Sequence, residues 1–144
     1  MPALLILGNG VANAAETIND AGALACINDK WDEKEVDKGH KLVDYAGPCI
    51  NIPADPAAQK YTGKYEYMPD KSWKGSGTCT YKFKEAGDTI TDSFEEGSHL
   101  KEYTYKITGG TGKYQGASGG GTYFYDQLTD TLAGGTYKGT IQLP

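Results

Sequence analysis

From Trp73 to Lys84 the chain alternates without a break. Odd positions carry Trp73, Gly75, Gly77, Cys79, Tyr81 and Phe83, and even positions carry Lys74, Ser76, Thr78, Thr80, Lys82 and Lys84. A period of two specifies a strand, because successive side chains leave a pleated backbone on opposite faces. Here one face is apolar, with two glycines leaving room, and the other is wholly polar, as in a barrel wall with water outside. The pattern recurs in Tyr61, Gly63, Tyr65 and Tyr67 against Lys60, Thr62, Lys64 and Glu66, and in Tyr103, Tyr105 and Ile107 against Glu102, Thr104 and Lys106. A last strand sets Gly135, Tyr137, Gly139, Ile141 and Leu143 against Thr136, Lys138, Thr140 and Gln142. Further strands are expected near 23–29, 41–52, 88–95 and 121–126, joined by short turns such as Met68-Pro69-Asp70-Lys71 and Glu85-Ala86-Gly87-Asp88. The charged run Lys30 to Lys41 mixes both signs without a period and reads as a solvated loop with at most one helical turn.

About eight strands in this order predict an all-β domain, an up-and-down antiparallel meander closed into a single eight-stranded β-barrel. Closure removes the exposed edges that invite aggregation, and eight strands enclose side chains or one small ligand. Residues 107–125, ITGGTGKYQGASGGGTYFY, hold seven glycines between two strand-like runs. Such density marks backbone that takes positive φ or lies against other backbone, which predicts a turn and bulge bending a strand toward closure. A phosphate-binding loop is excluded by context: such a loop opens a helix, whereas strand formers Thr122, Tyr123, Phe124 and Tyr125 follow, and the G-x-x-x-x-G-K-[ST] spacing is absent.

This segment resembles the glycine signature of dirigent proteins and allene oxide cyclases. Gly109, Gly110, Thr111, Gly112, Lys113, Gly116, Ala117 and Gly119 match the pattern, with Tyr114 where phenylalanine is usual and Ser118 where dirigent sequences commonly have arginine. The resemblance, to a bacterial-type member of that group, implies a calycin-like eight-stranded barrel and a homo-trimer. The carboxylates and arginine tied to dirigent activity, and the polar cluster of allene oxide cyclase, have no counterparts at matching positions, so the fold carries over and the activity does not.

The 144 residues make one domain, with net charge −5 and 14 cationic side chains that are all lysine. Without arginine's planar fork, and with a negative field, the chain does not suit nucleic acid. Residues 1–14 read as an apolar export leader with Ala12-Asn13-Ala14 before a cleavage point at Ala15, or as an ordinary apolar arm; residues 15–144 then form the barrel. The first reading places the protein in the periplasm or outside the cell, the second allows the cytoplasm. No other run is long enough to span a bilayer. Cys26, Cys49 and Cys79 allow one disulfide in any of three pairings if the chain is exported. Outward faces rich in lysine and threonine keep a monomer in competition with the trimer.

Two acidic residues sit on apolar faces. Asp92 shares a side with Ile90 and Phe94, and Asp29 lies between Ile27 and Trp31; a carboxylate turned inward would carry a raised pKa and could act as a general acid, whereas at a barrel end both are simply solvated. His40 and His99 lack partners at metal-ligand spacing and read as surface or turn residues. No nucleophile motif is present, no metal site is expected, and no cofactor is implied. Of the eleven tyrosines, many face inward. Trp73, Tyr65, Tyr67, Tyr81, Tyr103, Tyr105, Tyr123 and Tyr125 therefore form the candidate lining for a small aromatic or amphipathic ligand, unless the rings fill the barrel. Three functions fit: a small-ligand binder or non-catalytic scaffold, a cofactor-free isomerase or cyclase, and a structural subunit. An open interior favours the first two, a filled one the third.

Overall fold

The computed structural model describes residues 15–144; the leader or arm read in residues 1–14 lies outside the described residues. Nine strands follow in chain order: β1 (Glu16–Ile27), β2 (Lys30–Asp37), β3 (His40–Ile52), β4 (Ala57–Tyr67), β5 (Trp73–Phe83), β6 (Thr89–Gly97), β7 (Tyr103–Gly110), β8 (Ser118–Gln127) and β9 (Leu132–Leu143). Neighbours from β3 to β9 pair antiparallel in sequence order, and β1 joins the two ends by pairing with β9 along its whole length and with β3 through Ala23↔Ile52 to Cys26↔Cys49. Eight strands thus close a barrel, as the meander predicts, and β2 is a ninth outside the ring.

The strand β2 corrects the expectation of a loop across Lys30–Lys41. It resumes the path of β1 after Asn28 and Asp29, running from Lys30↔Ala46 to Asp37↔His40 along β3 with one bulge between Glu35 and Asp37. All eight of its residues are exposed. A strand wetted on both faces has no reason to alternate, so the periodicity that finds barrel walls is blind to it. His40 is likewise neither a turn residue nor free: it begins β3, half-buried, with Nε2 3.0 Å from the Glu66 carboxylate.

The glycine segment forms the device expected of it. Opposite Thr91 and Asp92 the register shifts between Gly109 and Ile107, so Thr108 is the extra residue of a bulge in β7. Gly109, Gly112, Gly116 and Gly119 have positive φ, while Gly110 does not and is fixed instead by crowding, with the Thr89 carbonyl 2.5 Å from where a Cβ would stand. Between them a single 3₁₀ turn, Gly112–Tyr114, drives the Tyr114 ring into the barrel end, 4.9 Å from the ring of Phe83. This end is closed by aliphatic packing among Ile90, Ile107, Ala117, Ile141 and Leu143. The opposite half is built from Val43, Tyr45, Tyr61, Tyr65, Cys79 and Phe94. Cys26 and Cys49, directly opposed on β1 and β3, form the disulfide, and Cys79 is free and buried.

Candidate functional site

Inward rings and inward glycines are paired across the strands. Tyr45 faces Gly63, Tyr65 faces Gly75, Phe94 faces Gly77, Tyr105 faces Gly121, and Tyr125 faces Gly135. A side chain at Gly75 would stand 2.3 Å from the Tyr65 ring and one at Gly63 2.7 Å from that of Tyr45. The rings of Tyr45, Tyr65 and Phe94 therefore lie against bare stretches of neighbouring backbone where a side chain would collide with them. That arrangement lets a narrow barrel carry many tyrosines and still keep its centre open.

The centre holds a cavity of ≈ 120 Å³, lined among others by Asp20, Asp92, Glu96, Tyr105, Tyr123 and Tyr137. Shared walls at Asp20, Asp92 and Tyr105 join it to a space of ≈ 310 Å³ toward the aliphatic end, and shared walls at Tyr65, Tyr125 and Gln127 join it to a wide mouth at the other. Aromatic residues Trp31, Tyr65, Tyr67, Trp73, Tyr103 and Tyr125 surround that mouth. All eight aromatic residues singled out from the sequence stand along this passage. Tyr45 and Tyr61 join them on the wall and Trp31 at the rim; Tyr61 was read on the inward face of its strand but left out of the candidate lining, Tyr45 was passed over although β3 alternates, and Trp31 lay in the supposed loop.

Two carboxylate centres face the passage. Glu96, 6% exposed, accepts hydrogen bonds from the hydroxyls of Tyr123 at 2.6 Å and of Tyr65 and Tyr125 at 2.8 Å each, and the latter two hydroxyls are also 2.8 Å apart. Burial raises its pKa, and the three tyrosine donors pull it back by favouring the ionised form. The sequence did contain its signal: the parity that sets Ile90, Asp92 and Phe94 on one face continues to position 96. Tyr45 stacks on Tyr65 with centroids 4.1 Å apart and planes 3° from parallel, and its buried hydroxyl has no hydrogen-bond partner among the described residues.

The second centre is Asp92, 4% exposed. Burial pushes its pKa up to about 7, the Tyr81 hydroxyl beside it lowers it, and the negative charge of Asp20 raises it. Asp20 on β1 accepts a hydrogen bond from Tyr105 Oη at 2.9 Å, and burial raises its pKa too. Asp20 was missed because the strand expected from residue 23 begins at Glu16. Asp29 does not join either group; it is exposed between β1 and β2. Nearby, Gln59 Nε2 is 3.4 Å from Cys79 Sγ, and burial together with the charge of Asp92 pushes the thiol up to about 12, which makes it a poor nucleophile. Among the described residues, no three His, Cys, Asp or Glu side chains converge on a metal-sized site. The chemistry on offer is proton donation and acceptance beside stacked rings.

No protein-family model matches the sequence, and no curated protein matches it either. Solved structures do share the fold. A pterocarpan synthase dirigent protein is 15% identical with a TM-score of 0.59, covering 89% of this chain and 90% of its own. A second pterocarpan synthase dirigent protein is 14% identical with a TM-score of 0.55 over 88% of this chain and 94% of its own. A protein of unknown function from the DUF3224 family of Shewanella oneidensis is 12% identical with a TM-score of 0.60 over 88% and 96%. The dirigent-type barrel implied by the glycine segment is the fold this chain adopts.

Proposed function

We propose that this protein binds one small aromatic or amphipathic molecule inside the barrel. The observation that carries the reading is the passage itself, open at an aromatic mouth and studded inside with tyrosine hydroxyls and carboxylates. A barrel serving only as a scaffold gains nothing from desolvating Asp92 and Glu96, whose burial costs free energy that a filled apolar core would not incur. The unpartnered Tyr45 hydroxyl and Asn51 Oδ1, both on the cavity wall, are polar groups that a ligand can satisfy. Isothermal calorimetry with 2-naphthol tests the reading: saturable binding of one molecule per chain is expected, and Ala133→Leu, which narrows the cavity, weakens it. Heat of dilution alone, in both proteins, would leave the scaffold reading in its place.

Asp92 favours a second reading, that of a cofactor-free isomerase or cyclase. A carboxyl titrating near neutrality beside a tyrosine can return a proton as readily as it takes one, which is what proton shuttling on a bound intermediate requires. Export fits the Cys26–Cys49 bridge, since disulfides persist in oxidising compartments. The trimer implied by the family resemblance fits an outward apolar strip on the β1–β3 seam, where Ile27, Ile50 and Ile52 are 47%, 58% and 61% exposed.

A further inference from the structure

The charge of the lining narrows the class of ligand. Asp20, Asp92 and Glu96 face the passage, Asp126 and Asp130 stand at its mouth, and no lysine or histidine is among the described residues that line it. All 14 cationic side chains are lysines, and those in ion pairs, Lys30, Lys41, Lys64, Lys74 and Lys138, meet acidic groups on the outer faces or the β2 hairpin. An anionic guest would find no counter-charge inside and would have to approach several carboxylates. A cation finds the reverse.

The mouth also has the form that holds an organic cation. Trp31 and Tyr65 have ring centroids 5.8 Å apart, Tyr65 and Trp73 5.5 Å at 86°, and Trp73 and Tyr103 5.9 Å at 67°. Trp31 is tilted 48° to Tyr65, and only the two Trp73 pairs are edge to face, so these four rings line the opening at mixed angles and not as one stack. Aromatic rings lining an opening attract a quaternary or protonated amine through the ring quadrupole, most strongly for tryptophan, and Trp31, 44% exposed, is open to such a group. At the base of the cage the Glu96 carboxylate, held by three tyrosine hydroxyls, sets negative charge behind the rings.

We propose that the mouth formed by Trp31, Tyr65, Trp73 and Tyr103 above Glu96 is an aromatic cage for an organic ammonium group, and that the ligand is a cationic aromatic or alkylammonium compound. The inference rests on the reading of the barrel as a small-molecule binder and specifies its charge. A hydrated inorganic ion is a poorer match, because the rings offer diffuse quadrupoles where such an ion takes oxygen ligands.

The test uses three probes of nearly one shape: phenyltrimethylammonium, its neutral isostere tert-butylbenzene, and benzenesulfonate. Affinities are measured by calorimetry on the full chain at fixed ionic strength. The cation is expected to bind at least about tenfold more tightly than the neutral probe, with the sulfonate weakest. Trp31→Leu keeps apolar bulk at a residue 44% exposed and is expected to remove most of the cation's preference over the neutral probe. Glu96→Gln should act in the same direction. Equal affinity for cation and neutral probe overturns the cage and leaves the binding reading standing; a preference that survives Trp31→Leu also overturns it. No binding of any probe overturns the cage together with the binding reading on which it depends.

Discussion

At the scale of single residues, the barrel places ionisable groups where water cannot solvate them. Asp92 faces Asp20 from β1, Gln59 from β4, Cys79 and Tyr81 from β5, and Tyr105 from β7, with no cation in the set. Its folded pKa of about 7 lies above the ordinary 3.8, so the native state holds a proton that the unfolded chain releases. Stability from this group is therefore complete below pH 4, and falls as pH rises through 7. Asp92→Asn removes the dependence. At pH 8 the variant is expected to be more stable than the parent by roughly 2 kcal/mol or more, and at pH 4 the two should converge. Urea unfolding across that range measures it, and a constant difference would mean that Asp92 titrates normally. Asp20 and Glu96 shift in the same sense, which is why the comparison must be made within the pair and not on the parent alone.

At the scale of elements, the strands facing the core were legible because water on one side and rings on the other enforce alternation. β4, β5, β7 and β9 show it plainly, and β6 shows it far enough to reveal Asp92 and, one step further, Glu96. β2 was not legible, since exposure on both faces removes the pattern, and the start of β1 was missed because its half-buried positions Ile18, Asp20 and Gly22 alternate in burial but not in hydrophobicity. The cross-strand pairing of rings with glycines was also hidden, because register is a property of two strands and no single strand states it. Glycine itself has two different roles here that substitution separates. Gly119 has φ +110°, and a Cβ there would stand 2.3 Å from the Thr140 carbonyl on β9, whereas Gly87, with φ +66°, has nothing within 4 Å. Gly87→Ala should cost only about 1 kcal/mol, the strain of a left-handed alanine. Gly119→Ala forces apart two paired strands and should cost at least about 2 kcal/mol more, as seen in the urea midpoint. Equal losses would show that the φ angle alone, and not the close approach of β8 to β9, makes the segment glycine-rich.

At the scale of the whole molecule, closing the barrel through the β1–β3 seam settles which apolar residues water can reach. Alternation along β3 sends Val43, Tyr45 and Cys49 inward and leaves Leu42, Ile50 and Ile52 outside, where Ile50 and Ile52 lie opposite Ala25 and Ala23 of β1. The sequence reading, drawn from the lysine- and threonine-rich face of β5, kept a monomer in competition with the trimer; the seam is the part of the wall that does not share that polar face. Small alanines beside projecting isoleucines make a shallow ridge that a second copy can cover, and burying it removes apolar area from water at about 25 cal/mol per Å². Light scattering at micromolar concentration is therefore expected to give a mass that is a multiple of the 15.4 kDa chain. Ile50→Lys combined with Ile52→Lys should reduce that mass to one chain while leaving the β-dominated circular dichroism unchanged, because both side chains point away from the core. A parent protein that already scatters as one chain removes the interface, and leaves the aromatic mouth and the carboxylates as a site completed within a single barrel.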